Sequence, residues 1–123
     1  MASPRGAEGF PRAHRVLTRA EYDLVFQSGK GLRARTHRAL FRFREDGETR
    51  LGMIVPKKAF ARAVDRNRIK RLIRDSFRRQ RTGLAAMDIV IQVRGEARDE
   101  TLFLGELANA WLKLGKTAPT PGP

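Results

Sequence analysis

Of the 26 lysines and arginines in the chain, eleven fall between residues 57 and 81, where only two acids, Asp65 and Asp75, oppose them. A cation density of that kind suits one chemistry well, the holding of a polyanion. Arginine outnumbers lysine in this stretch, and a planar guanidinium fork matches phosphate oxygens and base edges better than an ammonium does. Residues suited to bond-breaking chemistry are scarce. Cysteine is absent, which removes disulfides, thiolate metal sites and thiol nucleophiles. The two histidines, His14 and His37, lack a metal-ligand spacing such as His-Glu-x-x-His, and both are expected to face solvent or a bound ligand. Ser28 and Ser76 have no visible base partner. Glu96, Asp99 and Glu100 read as first-turn acids, with Asp99 or Thr101 as the helix cap, and Glu45, Asp46 and Glu48 decorate a turn. The expectation is a chain with no catalytic residue and no metal site of its own.

The cations must be mounted on something. At about 100° per residue, Ile69, Leu72, Ile73, Ser76 and Phe77 gather on one side of a helix centred on Asn67 to Arg79. Lys70, Arg71, Arg74, Arg78 and Arg81 gather on the other, with Asn67 among them. One side therefore faces a core and the other presents a cationic stripe. The ordinary reading of such a stripe is a solvated helix face. A solvated face usually mixes signs, however, because opposite charges four residues apart stabilise a helix by about 0.2–0.5 kcal/mol per pair. Here Arg66, Lys70, Arg74 and Arg78 repeat like charges at that spacing. Arg66 and Arg68 also lie near the helix start, where the dipole disfavours cations by about 0.3–1 kcal/mol each but welcomes a phosphate. The glycine-poor sequence excludes a nucleotide P-loop.

The remaining pattern completes one domain. Thr18 and Glu21 form a capping-box pattern ahead of a helix from Arg19 to Gln27, with Tyr22, Val25 and Phe26 on one face and Gly29 and Gly31 ending it. A short strand is expected around Leu32 to Arg35. Ala39, Phe41 and Phe43 then alternate with Leu40, Arg42 and Arg44. The Asp46-Gly47 turn predicts a hairpin to a second strand, Thr49 to Val55. After the basic helix, Met87 to Val93 reads as a strand and Leu102 to Leu114 as a terminal helix carrying Leu104, Leu107, Ala108 and Trp111. With 123 residues, a single domain over 14–114 is expected, between Pro/Gly-punctuated tails at 1–13 and 115–123 that cannot bury apolar surface. The first fifteen residues lack the apolar run of a secretory signal, although their arginines leave a transit peptide as a minority reading. No apolar run approaches the roughly 18 residues of a membrane span. Absent cysteine fits a reducing, cytoplasmic setting, and a net charge of +13 points to an anionic partner, with nucleic acid, an anionic membrane surface and an acidic protein as the candidates.

The run Arg66-Asn67-Arg68-Ile69-Lys70-Arg71-Leu72-Ile73-Arg74, preceded by Lys57-Lys58 and Ala63, resembles the signature of the bacterial ribonuclease P protein. Supporting matches are Leu17-Thr18 ahead of Tyr22 and Phe26, the strand start Arg50-Leu51-Gly52, and Asp88-Ile89-Val90. The likeness spans about Phe10 to Leu114. It implies an α/β (α+β) two-layer sandwich with a small mixed sheet of three to four strands and three helices. The implied order is α-β-β-β-α-β-α, with a left-handed βαβ crossover. It further implies a subunit of a tRNA-processing ribonucleoprotein, in which the RNA, with Mg2+, removes the 5′ leader of precursor tRNA. The implied partners are ribonuclease P RNA and precursor tRNA, with no membrane and no protein partner. By the same likeness, Lys57, Lys58, Arg62, Arg66, Asn67, Arg68, Lys70, Arg71 and Arg74 contact the catalytic RNA. Tyr22 and Phe26, with a strand aromatic, Phe41 or Phe43, line a cleft for the single-stranded leader, where aromatic stacking and cationic rails suit an unpaired strand. Tyr22 and Phe26 are equally readable as an aromatic pair sealing the first helix onto the core. The alternative function is a ribosomal or general RNA-binding protein. A helix-turn-helix DNA binder is disfavoured because the basic helix sits between strands.

Overall fold

The computed structural model describes residues 18–28, 30–45, 49–80, 84 and 86–116. Helix α1 (Arg19–Ser28) begins at the predicted capping box: Thr18 N donates to Glu21 Oε1 at 2.7 Å and Glu21 N to Thr18 Oγ1 at 3.2 Å. Strands β1 (Gly31–Arg33), β2 (His37–Phe43) and β3 (Arg50–Ile54) follow, then α2 (Ala63–Gln80), β4 (Met87–Val93), a 3-10 turn (Gly95–Arg98) and α3 (Glu100–Lys116). Asp99 caps α3, its carboxylate accepting from Leu102 N at 3.2 Å. Helix α3 continues through Gly115 and Lys116. Of the expected tails at 1–13 and 115–123, residues 1–13 and 117–123 lie outside the described residues.

The sheet order is β1-β2-β4-β3, and this corrects the hairpin expectation. β2 and β3 are not partners, because β4 lies between them, antiparallel to β2 and parallel to β3. The alternation that marks β2 and β3 as strands is real, and the Asp46-Gly47 turn itself lies outside the described residues. The pairing is decided by β4, whose residues are buried at every position except Gln92. A strand apolar on both sides is stable only in the middle of a sheet that is covered on both faces.

The two faces follow from pleat alternation. Ala39 and Phe41 of β2, Leu51 of β3 and Ile89, Ile91 and Val93 of β4 point to one side. There they meet Ile69, Ile73 and Phe77 of α2 and Phe103, Leu107, Trp111 and Leu114 of α3. The Trp111 indole donates to Ser76 Oγ at 2.6 Å, which satisfies the one polar side chain on the buried side of α2. On the opposite face, α1 seats Val25 against Leu40 and Val90.

The buried and solvent-facing sides of α2 should separate cleanly in stability measurements. Ile73→Ala removes a fully buried side chain and should cost about 2–5 kcal/mol, whereas Lys70→Ala should stay within about 0.5 kcal/mol, both read by denaturant unfolding.

Candidate nucleic-acid interface

The first turn of α2 is built around arginines. Arg62 is the last residue before the helix, and its carbonyl accepts the N–H groups of Asp65 and Arg66 at 3.1 and 3.2 Å. Arg66 is half-buried and its Nη1 donates to the carbonyls of Phe60 and Ala61 at 2.8 and 2.9 Å, tying the Lys57-Lys58 loop down onto the helix. Arg68 reaches across to α3 and holds Glu100 in a two-pronged pair, with Nη2 to Oε1 at 2.9 Å and Nε to Oε2. This contact raises the Arg68 pKa and lowers that of Glu100. Arg78 pairs with Asp75 at 3.0 Å, and Arg62 stands 3.9 Å from Asp65.

These contacts correct the expectation of an unrelieved row of like charges. Three acids lie within reach of three arginines, and Arg66 has a structural task besides any ligand contact. The pairs of Arg62 and Arg68 are nonetheless solvent-exposed, and exposed ion pairs contribute about 0–1 kcal/mol, too little to withhold a guanidinium from a phosphate. Arg68 spends only one edge of its fork on Glu100. Lys57, Lys58, Asn67 and Arg71 are exposed and Lys70 is half-exposed, so the loop and the outer side of α2 both offer cations to solvent. Beside them lies a groove of about 430 Å³ lined by Phe60, Arg62, Arg68, Ile69, Arg98 and Glu100. Arg98 sits 5.5 Å from the Phe60 ring and donates to the Ala59 carbonyl. It is a basic residue of this surface with no signal in the sequence, because the 3-10 turn that carries it meets α2 only in three dimensions.

The other face of the sheet carries the second predicted site in altered form. Tyr22 is half-buried and its hydroxyl accepts the Met53 N–H at 3.2 Å on the edge strand β3. Phe26, one turn along, is 39% exposed, so it does not act as a core seal. Phe41 and Phe43, however, do not join them. They stack edge to face at 5.6 Å on the side covered by α2 and α3, because their strand parity is that of Ala39, opposite to Leu40 under α1. The residues that do flank the α1 side are Arg38, Ile54, Pro56, Gln92 and Arg94, around a groove of about 270 Å³. Their signal was present in the alternation, which sets Arg38 and Arg42 on the same face as Leu40, but alternation alone does not say which face α1 covers.

The same face holds a charge cluster. Asp88 is fully buried in β4, and the registers place Arg42 and Arg50 directly opposite it on either side. Arg50 forks onto Asp88 at 2.8 and 3.0 Å, Arg42 donates at 3.0 Å and Arg44 approaches to 3.8 Å. Arg50 also pairs with Glu21 of α1 at 2.6 Å. Its hydrogen bonds to Asp88 are the main reason its pKa is raised.

A family model for ribonuclease P matches residues 10–115. The chain belongs to the ribonuclease P protein family. It is 44% identical over 115 residues to the ribonuclease P protein component of Marinomonas sp. (strain MWYL1), covering 91% of this chain and 87% of that one. The protein component of Legionella pneumophila (strain Lens) is 43% identical over 107 residues, covering 85% and 92%. The solved RNase P protein from Thermotoga maritima shares the fold at a TM-score of 0.70 and 29% identity, covering 86% and 99%. That from Staphylococcus aureus gives 0.70 at 27%, covering 85% and 94%. The chain is thus a subunit of ribonuclease P, a tRNA-processing, RNA-binding protein whose RNA partner is ribonuclease P RNA. The ribosomal alternative is set aside. No helix among the described residues is long and apolar enough to cross a membrane.

His37 corrects a further expectation, since it faces neither solvent nor a ligand surface. It is buried with its ring edge-on to Phe103 at 6.0 Å and Nδ1 3.1 Å from Thr36 Oγ1. Glu106 of α3 accepts from Thr36 Oγ1 at 2.7 Å and Thr36 N at 2.8 Å, clasping the β1–β2 turn. Burial lowers the His37 pKa, opposed by the charge of Glu106, while the Thr36 hydrogen bonds lower that of Glu106. Both groups bind protons more readily unfolded than folded, so stability rises with pH through each transition. The His37 contribution should be complete above its unfolded value of about 6.5 and decline as pH falls below it. Thermal unfolding should therefore show Tm falling from pH 7 to 5, and His37→Gln should flatten that segment while leaving the steeper loss below the carboxylate range.

Proposed function

We propose that the solvent-facing side of α2, with the Lys57-Lys58 loop, binds ribonuclease P RNA. The groove beside α1 holds the 5′ leader of precursor tRNA. The RNA, with Mg2+, cleaves the phosphodiester, and this chain supplies no catalytic group. The observation that carries the reading is the separation of two basic surfaces by one sheet. The dense stripe of α2 lies beyond the α2/α3 layer, and on the opposite face lie a narrower groove lined by Arg38, Gln92 and Arg94 and, on α1, an exposed aromatic, Phe26. The first suits a folded RNA, which is contacted mainly through phosphates. The second suits a single strand, held by stacking between cationic side chains. Absent cysteine and the lack of a spanning helix among the described residues are compatible with work in the cytoplasm.

On the RNA-binding face, Lys57, Lys58, Arg62, Asn67, Arg68, Lys70, Arg71 and Arg74 remain the assigned contacts, with Arg98 added and Arg66 bracing the loop as well as offering charge. On the leader face, Tyr22 and Phe26 remain, joined by Arg38, Gln92 and Arg94, and Phe41 and Phe43 are withdrawn to the core.

Reconstitution tests the reading. Added to a bacterial ribonuclease P RNA at low magnesium, the protein should restore leader removal, and failure to do so at saturating protein would refute it. Lys70→Ala with Arg71→Ala should weaken binding to that RNA and lower the salt slope by about two, with an unchanged melting curve. Phe26→Ala should cost about 1–3 kcal/mol in affinity for precursor tRNA with a leader and nothing for mature tRNA. Equal losses for both would remove the leader assignment.

A further inference from the structure

Helix α1 has two working flanks. With Val25 seated on Leu40 and Val90, helical spacing puts Tyr22 and Phe26 on one flank and Glu21 and Ser28 on the other. The first flank lies on the side of Ile54, which packs against the same cluster as Tyr22 and also lines the groove. The second meets the buried charge cluster through a continuous chain of bonds. Thr18 N is held by Glu21 Oε1 at 2.7 Å, Glu21 Oε2 by Arg50 Nη1 at 2.6 Å, and Arg50 Nε and Nη2 by Asp88 at 2.8 and 3.0 Å. Arg42 closes on the same carboxylate at 3.0 Å.

Little else fixes this helix. Val25 is its only buried residue, Tyr22 bonds the Met53 amide, and Ser28 Oγ donates to the Phe41 carbonyl at 2.8 Å. Ten residues are too few for a helix to be stable alone, so its attachments decide where it stands on the sheet. A buried ion cluster contributes little net stability compared with well-packed apolar residues, and its best-attested use is to specify geometry. Asp88 is fully buried, so any effect it has on a ligand must pass through its partners.

We propose that Asp88 is a positioning residue for single-strand binding. From the central strand it fixes Arg50, and through Arg50 it braces the Glu21 flank of α1, so that Tyr22 and Phe26 on the far flank stand at the spacing the leader requires. This inference rests on the groove being the leader site. The competing role is a lock on the register of β2, β4 and β3 alone, which needs Arg42, Arg50 and Asp88 but not Glu21.

Glu21→Gln separates the two. Gln serves as well as Glu in a capping box, so the helix start is kept and the ion pair with Arg50 is lost. The measurement is the affinity of the holoenzyme, reconstituted with ribonuclease P RNA, for precursor tRNA carrying its leader and for the same tRNA without it. Glu21→Gln should weaken binding of the leader-bearing substrate by about three- to tenfold, leaving the leaderless substrate and the affinity for ribonuclease P RNA unchanged. Asp88→Asn should do at least as much. If that variant fails to fold, Glu21→Gln decides alone. Unchanged or tighter leader binding in Glu21→Gln overturns the proposal, since tighter binding is what removing one negative charge would do by itself. Equal losses on both substrates overturn it too.

A second readout needs no substrate. Tyr22 is the only tyrosine in the chain, so the single fluorine resonance of fluorotyrosine-labelled protein reports where α1 stands, and it should shift or broaden in both variants. A wild-type holoenzyme that shows no preference for the leader, while this resonance still responds to Glu21→Gln, would refute the leader reading and leave the mechanical link between Asp88 and α1 intact.

Discussion

Strand β4 divides the molecule. Buried on both faces, it can lie nowhere but between β2 and β3, and its position creates the two surfaces on which everything else is arranged. Its one acidic residue, Asp88, is tolerable there because the registers bring Arg42 and Arg50 against it from either side. A slip of one residue would turn the carboxylate into the apolar layer beneath α2 and α3, unpaired and at a cost of several kcal/mol. The same alternation that hides Ile89 and Ile91 under the helices therefore aims a charge at α1, and the sheet carries a dry face and a polar one.

Helix α2 uses that division. Its buried side is anchored by Ile69, Ile73 and Phe77 and by the hydrogen bond from Trp111 to Ser76, which leaves the outer side free to be chosen for charge alone. The cations there are moderated by Asp65 in the first turn of the helix, Asp75 in its second half and Glu100 at the start of α3. Weak, solvated pairs lower the repulsion of the free protein without neutralising the surface. An RNA phosphate can exchange for a carboxylate at small cost, because neither partner is desolvated. Arg66 is different: its bonds to the Phe60 and Ala61 carbonyls make it part of the scaffold that holds the Lys57-Lys58 loop.

The first helix is the lighter element. It covers the polar face with a single buried side chain and several polar ties, in contrast to the broad apolar contact of α2 and α3. An element attached in this way owes its position to directed bonds more than to packing volume, and directed bonds are what a sparse chain of carboxylates and guanidiniums supplies.

Local chemistry was enough for much of this. The Thr18–Glu21 box, the strand limits Met87–Val93 and the two sides of the basic helix were legible because each depends on residues a few positions apart. The Arg-Asn-Arg run likewise carried the family resemblance. What the sequence could not decide was anything requiring a second segment to arrive from far away. The hairpin expected between β2 and β3 gave way because β4, over thirty residues downstream, is more apolar than either. Phe41 and Phe43 were placed on the right parity but assigned to the wrong face, since parity sorts side chains into two sets without naming what covers each. His37 looked exposed among arginines until Phe103 and Glu106 closed over it. The partners of Arg68 and Asp88 belong to the same class. Composition and periodicity determined that one helix would be cationic outside and apolar inside, and tertiary structure alone decided which charges meet, because burial and pairing are properties of neighbours that the chain brings together only when it folds.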